Sequence, residues 1–300
     1  MSKIKIMCTS TGCIEYAPER YRNLGIDIIR IHVLFEGKEY LEGLDLDPVK
    51  FYERLETIED PKNNLPSTAM PTTQALYDHF NAAIDEGYDE VIVFTLSSAL
   101  GGTYNKICLI AGEFKEKIKI HVIDTKITCF GEGLLAIKAA EWAKAGKTSD
   151  EILKEVAWMM RRQEFVGVDS RLDFLIYNGR LKGGKAFLGQ LLKICPVIHF
   201  SREGEIVALE SVRTPKKALG RMCEIVKEII GDRAPEDYIL FHIYTGPSLL
   251  PTLKEIEPKY ELATNHEAII MSPVSGAHNG PWLAGYGIAF LRREDEPIDG

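Results

Sequence analysis

Two hydrophobic periods alternate along the first half of the chain. Short apolar runs at 3–8, 90–96 and 118–123 each end in a polar or small-residue segment. Such near-continuous apolar strands are the kind a parallel sheet buries on both faces. Between them, residues 72–86 carry apolar side chains at Leu76, Phe80, Ala83 and Ile84, a helical stripe that Gly87 closes. Further helices are predicted over 103–116, over 133–145, and over 48–57, where Asp47 caps the start and Pro48 takes the first position. Residues 26–35 read as one long β run with a turn at Gly37, and 59–67 as a Pro/Asn loop. Strand, loop and helix repeating in one direction predict a doubly wound, mostly parallel α/β sheet.

The second half has a different texture. Helices are predicted at 150–162, 172–177, 215–230 and 248–255, and another over the Gly- and Lys-rich stretch 182–192. Runs at 194–200 and 205–212, joined by Ser201-Arg202-Glu203-Gly204, predict an antiparallel hairpin. Strands follow at 238–243, 267–271 and 285–291, with a short one earlier at 165–168. The expectation is an α/β protein of two domains: 1–160 with the doubly wound sheet, and 161–300 with a mixed or antiparallel sheet. The acidic tail after Arg292 is expected to fray.

Composition narrows the class. A chain of 300 residues, 45% hydrophobic and 27% charged, has the balance of an ordinary globular protein. Its net charge of −8 argues against nucleic acid as the main partner, because phosphate neutralisation needs a cationic face. A single small anion needs only a local positive pocket. The 6 cysteines include no C-x-x-C pair, so reduced thiols in a cytosol are expected rather than a disulfide framework or zinc site. The opening residues lack a signal-peptide core, and no window approaches a spanning helix, so a cytoplasmic protein is expected.

Candidate chemistry lies in the loops at the carboxyl ends of the predicted parallel strands, where ligands bind in such sheets. The strongest is Ser97-Ser98-Ala99-Leu100-Gly101-Gly102, where hydroxyls and free N–H groups precede a helix start and favour an anion. A tight strand-to-helix connection capped by serine is the plainer reading of the same residues. Gly179 to Lys185 fits the first part of a phosphate-binding loop, but Ala186 replaces its serine or threonine and no strand leads into it. The small-residue stretch 273–281 reads as a loop carrying His278, poorly placed for core packing and so a candidate ligand contact. Ser97 or Ser98 with His278 and Asp124 could form a serine triad in space, but the nucleophile-elbow motif is missing. Neither a dinucleotide fingerprint nor metal-ligand spacing occurs, so no cofactor and no metal are expected.

Taken in order, these segments resemble one family. Ser67-Thr68-Ala69-Met70-Pro71-Thr72 is similar to its T-S-Q-P-S segment, and Ser97-Ser98-Ala99-Leu100-Gly101-Gly102-Thr103-Tyr104 to its S-S-x-L-S-G-T-Y loop. Val122–Lys126, Asn178-Gly179-Arg180-Leu181, Val212-Arg213-Thr214 and Gly276-Ala277-His278-Asn279-Gly280 match further blocks across nearly the whole chain. The family is the DegV proteins, which include the fatty-acid-binding B subunits of bacterial fatty acid kinase. The resemblance implies a two-domain, non-catalytic carrier that holds one long-chain fatty acid in a buried tunnel. A separate kinase subunit would phosphorylate the carboxylate to an acyl phosphate. Carried over, Thr68 and His278 would bond the carboxylate, and Arg180 and Arg213 would serve the head group or the kinase contact. Two positions depart from the pattern: Gly101 stands where the family has serine, and Thr9-Ser10 where it has Asp-Ser. Ser98, or the amides of Gly101 and Gly102, would then supply the missing donor. A monomer is expected, with at most transient membrane contact. The alternatives are a self-sufficient hydrolase or phosphotransferase acting on a small anion in the interdomain cleft, and a regulatory ligand sensor.

Overall fold

The computed structural model describes residues 2–186, 194–262, 267–293 and 296–298. Thirteen strands fall into three sheets among these residues. In chain order the first seven are β1 (Ile4–Thr9), β2 (Asp27–Ile29), β3 (His32–Phe35), β4 (Lys38–Leu41), β5 (Ser67–Ala69), β6 (Glu90–Thr95) and β7 (Lys119–Asp124). The remaining six are β8 (Gln163–Asp169), β9 (Cys195–Phe200), β10 (Ile206–Val212), β11 (Tyr238–Tyr244), β12 (Glu267–Ile270) and β13 (Leu283–Phe290). The helices are α1 (Glu19–Arg22), α2 (Pro48–Glu56), α3 (Pro61–Asn64), α4 (Thr73–Asp85), α5 (Thr103–Glu113) and α6 (Phe130–Lys144). They continue with α7 (Ser149–Met160), α8 (Asp173–Tyr177), α9 (Pro215–Ile230), α10 (Leu250–Ile256) and α11 (Pro273–Asn279).

The first sheet has the order β2-β1-β6-β7 and is parallel throughout. Its alternate residues explain the unbroken apolar runs. Met7, Ile29, Val91 and Val93 pack with Leu76 and Phe80 of α4 and Ile107 and Ile110 of α5, while Ile6, Cys8, Ile92 and Phe94 join the larger core that holds α6. Helices therefore cover both faces, as the doubly wound reading expects. The third sheet, β10-β9-β8-β13-β11-β12, is antiparallel except for the β11–β12 pair. It confirms the mixed sheet expected in the second half, with the 195–200 and 206–212 hairpin at one edge.

Helix α6 joins the two. Every residue from Phe130 to Ile137 is buried, and Phe130 meets Phe241 of β11 edge-on at 5.0 Å between ring centroids. A helix with apolar residues all round is one packed on every side. The large hydrophobic core runs without a break from the first sheet through α6 to the third.

Two expectations need correction. The run 26–35 is not one strand: β2 pairs with β1, whereas β3 joins β4 and β5 in a separate antiparallel sheet. The break falls at Arg30 and Ile31. Arg30 turns aside to Glu15 at 2.7 Å and to the Glu42 carbonyl at 2.7 Å, and the Ile31 amide donates to Ser10 Oγ at 3.1 Å instead of to a ladder. The stretch 273–281 is not a loop, because residues 273–279 form α11. Ser272 caps it through the Ser275 amide and Pro273 occupies its first turn. Of the helix predicted over 182–192, residues 184–186 form a helical turn, and 187–193 lies outside the described residues.

Candidate functional site

The segments singled out from sequence converge where β5, the loop after β6 and α11 meet. Thr68 lies on β5, held against Val33 of β3. Helix α11 is seated by Tyr52 of α2, whose hydroxyl donates to the Met271 carbonyl at 2.9 Å. Gly276 permits this seat, since a Cβ there would lie 2.2 Å from the Tyr52 hydroxyl oxygen. The result brings His278, in the last turn of α11, onto Thr68, with Nε2 and Oγ1 3.0 Å apart.

Burial, reinforced by the Arg180 charge, lowers the His278 pKa to about 3. The ring is therefore neutral at physiological pH and carries one N–H. When that proton sits on Nε2 it donates to Thr68, and the Thr68 O–H is left to donate elsewhere. Nδ1 is buried without a hydrogen-bond partner among the described residues.

Arg180 approaches from the turn after α8. Its Nε donates to the Leu100 carbonyl at 3.3 Å and its Nη1 to the Asn178 carbonyl, both backbone acceptors. Among the described residues it has no carboxylate within ion-pair distance. Burial lowers its pKa from the ordinary value, the mark of a cation short of counter-charge.

Thr68, Gly101, Gly102, Arg180 and His278 all line one cavity of about 150 Å³. Behind it lies a second, of about 20 Å³, walled by Ile127, Cys129, Phe165, Ile198, Phe241 and Leu283. Thr128, Ile206 and Asn279 line both, so the two lie in series. The polar groups at this junction satisfy one another. Thr128 Oγ1 lies 3.2 Å from Ser275 Oγ, and Asn279 Nδ2 donates to the Ser275 carbonyl at 2.8 Å. The arrangement is a polar, cationic mouth before an apolar chamber.

The chamber follows from the register of the third sheet. Gly167 of β8 pairs with Gly285 of β13, and Gly287 lies between Phe165 and Phe241 on the neighbouring strands. A Cβ at Gly287 would lie 2.1 Å from the Phe241 ring, and one at Gly167 would lie 2.6 Å from Phe165. Each ring reaches bare backbone with its outer edge, in space that a Cβ would fill. Sequence reasoning missed these glycines, although glycine at alternate positions of an apolar strand is a signal of close approach.

Two predicted contacts lie outside the mouth's lining. The Ser98 amide donates to Asp124 at 3.0 Å, and its hydroxyl accepts from Lys126 at 3.4 Å. Arg213 is exposed between β10 and α9. Asp124, which also takes Lys126 Nζ at 2.6 Å, is committed to this loop rather than to His278. Thr9 is buried and donates to Glu132 of α6, which also accepts from Thr11 at 2.8 Å. Burial holds the Glu132 carboxyl well above its ordinary pKa. In the segment resembling a phosphate loop, Lys182 pairs with Glu205 at 2.6 Å and only Arg180 reaches the site. Among the described residues no group of three or more His, Cys, Asp or Glu is placed to hold a metal, and no helix is long and apolar enough to cross a membrane.

Fold and site together define an α/β protein with an apolar chamber behind a donor-lined mouth. The chain belongs to the DegV family, whose model matches residues 3–291. A DegV domain-containing protein of Listeria monocytogenes is 31% identical over 284 residues, covering 94% of this chain and 97% of that one. A fatty acid-binding protein of Thermotoga maritima is 29% identical over 300 residues, covering 97% and 99%. The crystal structure of a fatty acid binding DegV family protein from Streptococcus agalactiae superposes with a TM-score of 0.86 at 29% identity, covering 97% of this chain and 100% of that one.

Proposed function

We propose that this chain is a carrier for a long-chain fatty acid, with the carboxylate at the mouth and the acyl chain in the chamber. The observation that carries the reading is Arg180, a half-buried guanidinium bonded to backbone carbonyls only, at the entrance to an apolar cavity. A desolvated cation there favours an anion, and Thr68 adds a hydroxyl donor. Relatives described as fatty acid-binding support the same ligand class.

Magnitudes divide the work between head and tail. Each buried methylene contributes about 0.8 kcal/mol, whereas a head-group hydrogen bond contributes roughly 0.5–1.5 kcal/mol net. The chain supplies most of the affinity and the mouth sets the orientation. A bound carboxylate at the rim is then available to a separate kinase subunit for conversion to an acyl phosphate, with exposed Arg213 as a partner contact. On this reading the chain works as a cytoplasmic monomer in two domains that divide near residue 160, and it carries no catalytic machinery of its own.

Titration with saturated acids of decreasing length tests the carrier reading. Each methylene removed weakens binding about fourfold, and Arg180→Gln weakens every acid by a similar factor. Affinity independent of chain length, or unchanged in Arg180→Gln, overturns it. For the second step, ATP turnover by the isolated chain contradicts the presenting role. Acyl phosphate formed only when a kinase subunit is added supports it.

A further inference from the structure

A third cavity, of about 330 Å³, adjoins the chamber and shares no lining residue with the mouth. It shares Ile127, Phe165 and Phe200 with the chamber, so mouth, chamber and this outer cleft form a series. The partition between the last two is the Phe165–Phe200 pair, edge-on at 5.9 Å between centroids. Phe165 rests on Gly167 and Gly285, where no side chain wedges it in place. The chamber of about 20 Å³ is far below the roughly 300–1,000 Å³ of small-molecule sites, so a long acyl chain enters only by moving rings. Beyond the pair lies the cleft, with room to receive them.

The cleft is polar at its outer side. Arg161 and Arg202 line it with Lys126 and Glu164. Lys126 is already taken by Asp124 at 2.6 Å, and the Arg202 charge acts on Glu164. Arg161 donates to the Ile298 carbonyl at 3.2 Å, a backbone acceptor. Among the described residues, counting these side chains with Asp124, three cations face two carboxylates, and the Arg161 guanidinium is the surplus.

We propose that the tunnel is open at both ends, the Phe165–Phe200 pair acting as a gate, and that its ligands include acyl chains with a second carboxylate at the far end, held by Arg161 and Arg202. The inference rests on the carrier reading and extends its substrate class to long-chain dicarboxylic acids. Physical chemistry makes the alternative sharp. In a closed chamber the second carboxylate would be buried without a partner, at a cost of several kcal/mol, and the diacid would be rejected by more than a hundredfold.

The test is displacement of a fluorescent fatty acid by palmitate and by hexadecanedioate, in the unaltered protein and in the Arg161→Gln/Arg202→Gln double variant. Both substitutions are at the surface and leave the mouth intact. In the unaltered protein, hexadecanedioate is expected to bind within about tenfold of palmitate. In the double variant the diacid is expected to weaken at least fivefold relative to palmitate, a loss of about 1 kcal/mol. A diacid more than about tenfold weaker than palmitate in the unaltered protein, or a ratio unmoved by the double variant, overturns the open far end. Failure of palmitate itself to bind would instead overturn the carrier reading.

Discussion

Restoring a hydroxyl at residue 101 is expected to tighten ligand binding. Gly101 lines the mouth cavity, and a Cβ built on it meets nothing within 4 Å. Its φ lies outside the left-handed region, so a serine fits without strain. The new hydroxyl would stand in the same cavity as Thr68 and Arg180, and on the proposed function it would donate to the bound carboxylate. A hydrogen bond of this kind contributes roughly 0.5–1.5 kcal/mol net, because water must be displaced from both partners. That converts to a gain of about two- to tenfold in affinity for Gly101→Ser. The control is Gly101→Ala, which makes the same backbone change without a donor. Both variants should gain up to about 1 kcal/mol of folding stability from the less flexible unfolded chain, so affinity and melting temperature are read separately. Isothermal titration with palmitate is the assay. Equal affinities for the serine and alanine variants, or weaker binding by serine, would refute the placement of the carboxylate beside residue 101.

Other consequences are independent of that residue. With its pKa near 3, His278 does not titrate near neutrality, so affinity is expected to stay flat from about pH 6.5 to 8. A rise on acidification across that window would show the ring acting as a cation. Gly276→Ala should cost roughly 1–3 kcal/mol of stability and weaken the ligand as well, because its Cβ forces α11 off Tyr52. Unchanged thermal unfolding would contradict the seating argument. Glu155 of α7 takes Arg292 at 2.7 Å and Lys147 at 2.9 Å, and the Arg292 hydrogen bonds lead in lowering its pKa from 4.5 to about 2. Its folded pKa is depressed, so the contribution is present above pH 4.5 and is lost as the pH falls toward 2. The difference amounts to about 3 kcal/mol. Glu155→Gln should lower stability at pH 7 and flatten the acid limb of a stability–pH curve, and an unchanged limb would contradict the assignment.

The parallel sheet and its helices are legible because their signals are local. Val91–Phe94 is apolar on both faces, and Thr73–Asp85 carries its stripe at helical spacing. Helix α11 is obscured by Gly276 and His278, poor helix formers. Its start signal, Ser272 followed by Pro273, is in the sequence, but Tyr52, more than two hundred residues earlier, supplies the seat. The break at Arg30 is hidden for the same reason, since Glu15 and Glu42 draw the side chain away. Thr68, Arg180 and His278 are recognisable as a set only through their order in the family pattern, and the fold then brings them to one cavity. Ser98 shows the limit of that reasoning, because a hydroxyl beside a glycine-rich turn serves Lys126 and Asp124 equally well. The chamber is the least legible feature. It arises from the register that places Gly167 against Gly285 and Gly287 between two phenylalanines, and register is a property of paired strands rather than of one segment.

The most direct test of the carrier reading is the lipid that purifies with the protein. Native mass spectrometry of the chain expressed without added lipid, followed by extraction, should show one long-chain fatty acid per protein molecule, released on denaturation and depleted in Arg180→Gln. A protein mass equal to the bare chain, together with no uptake of added palmitate or oleate, would contradict the account.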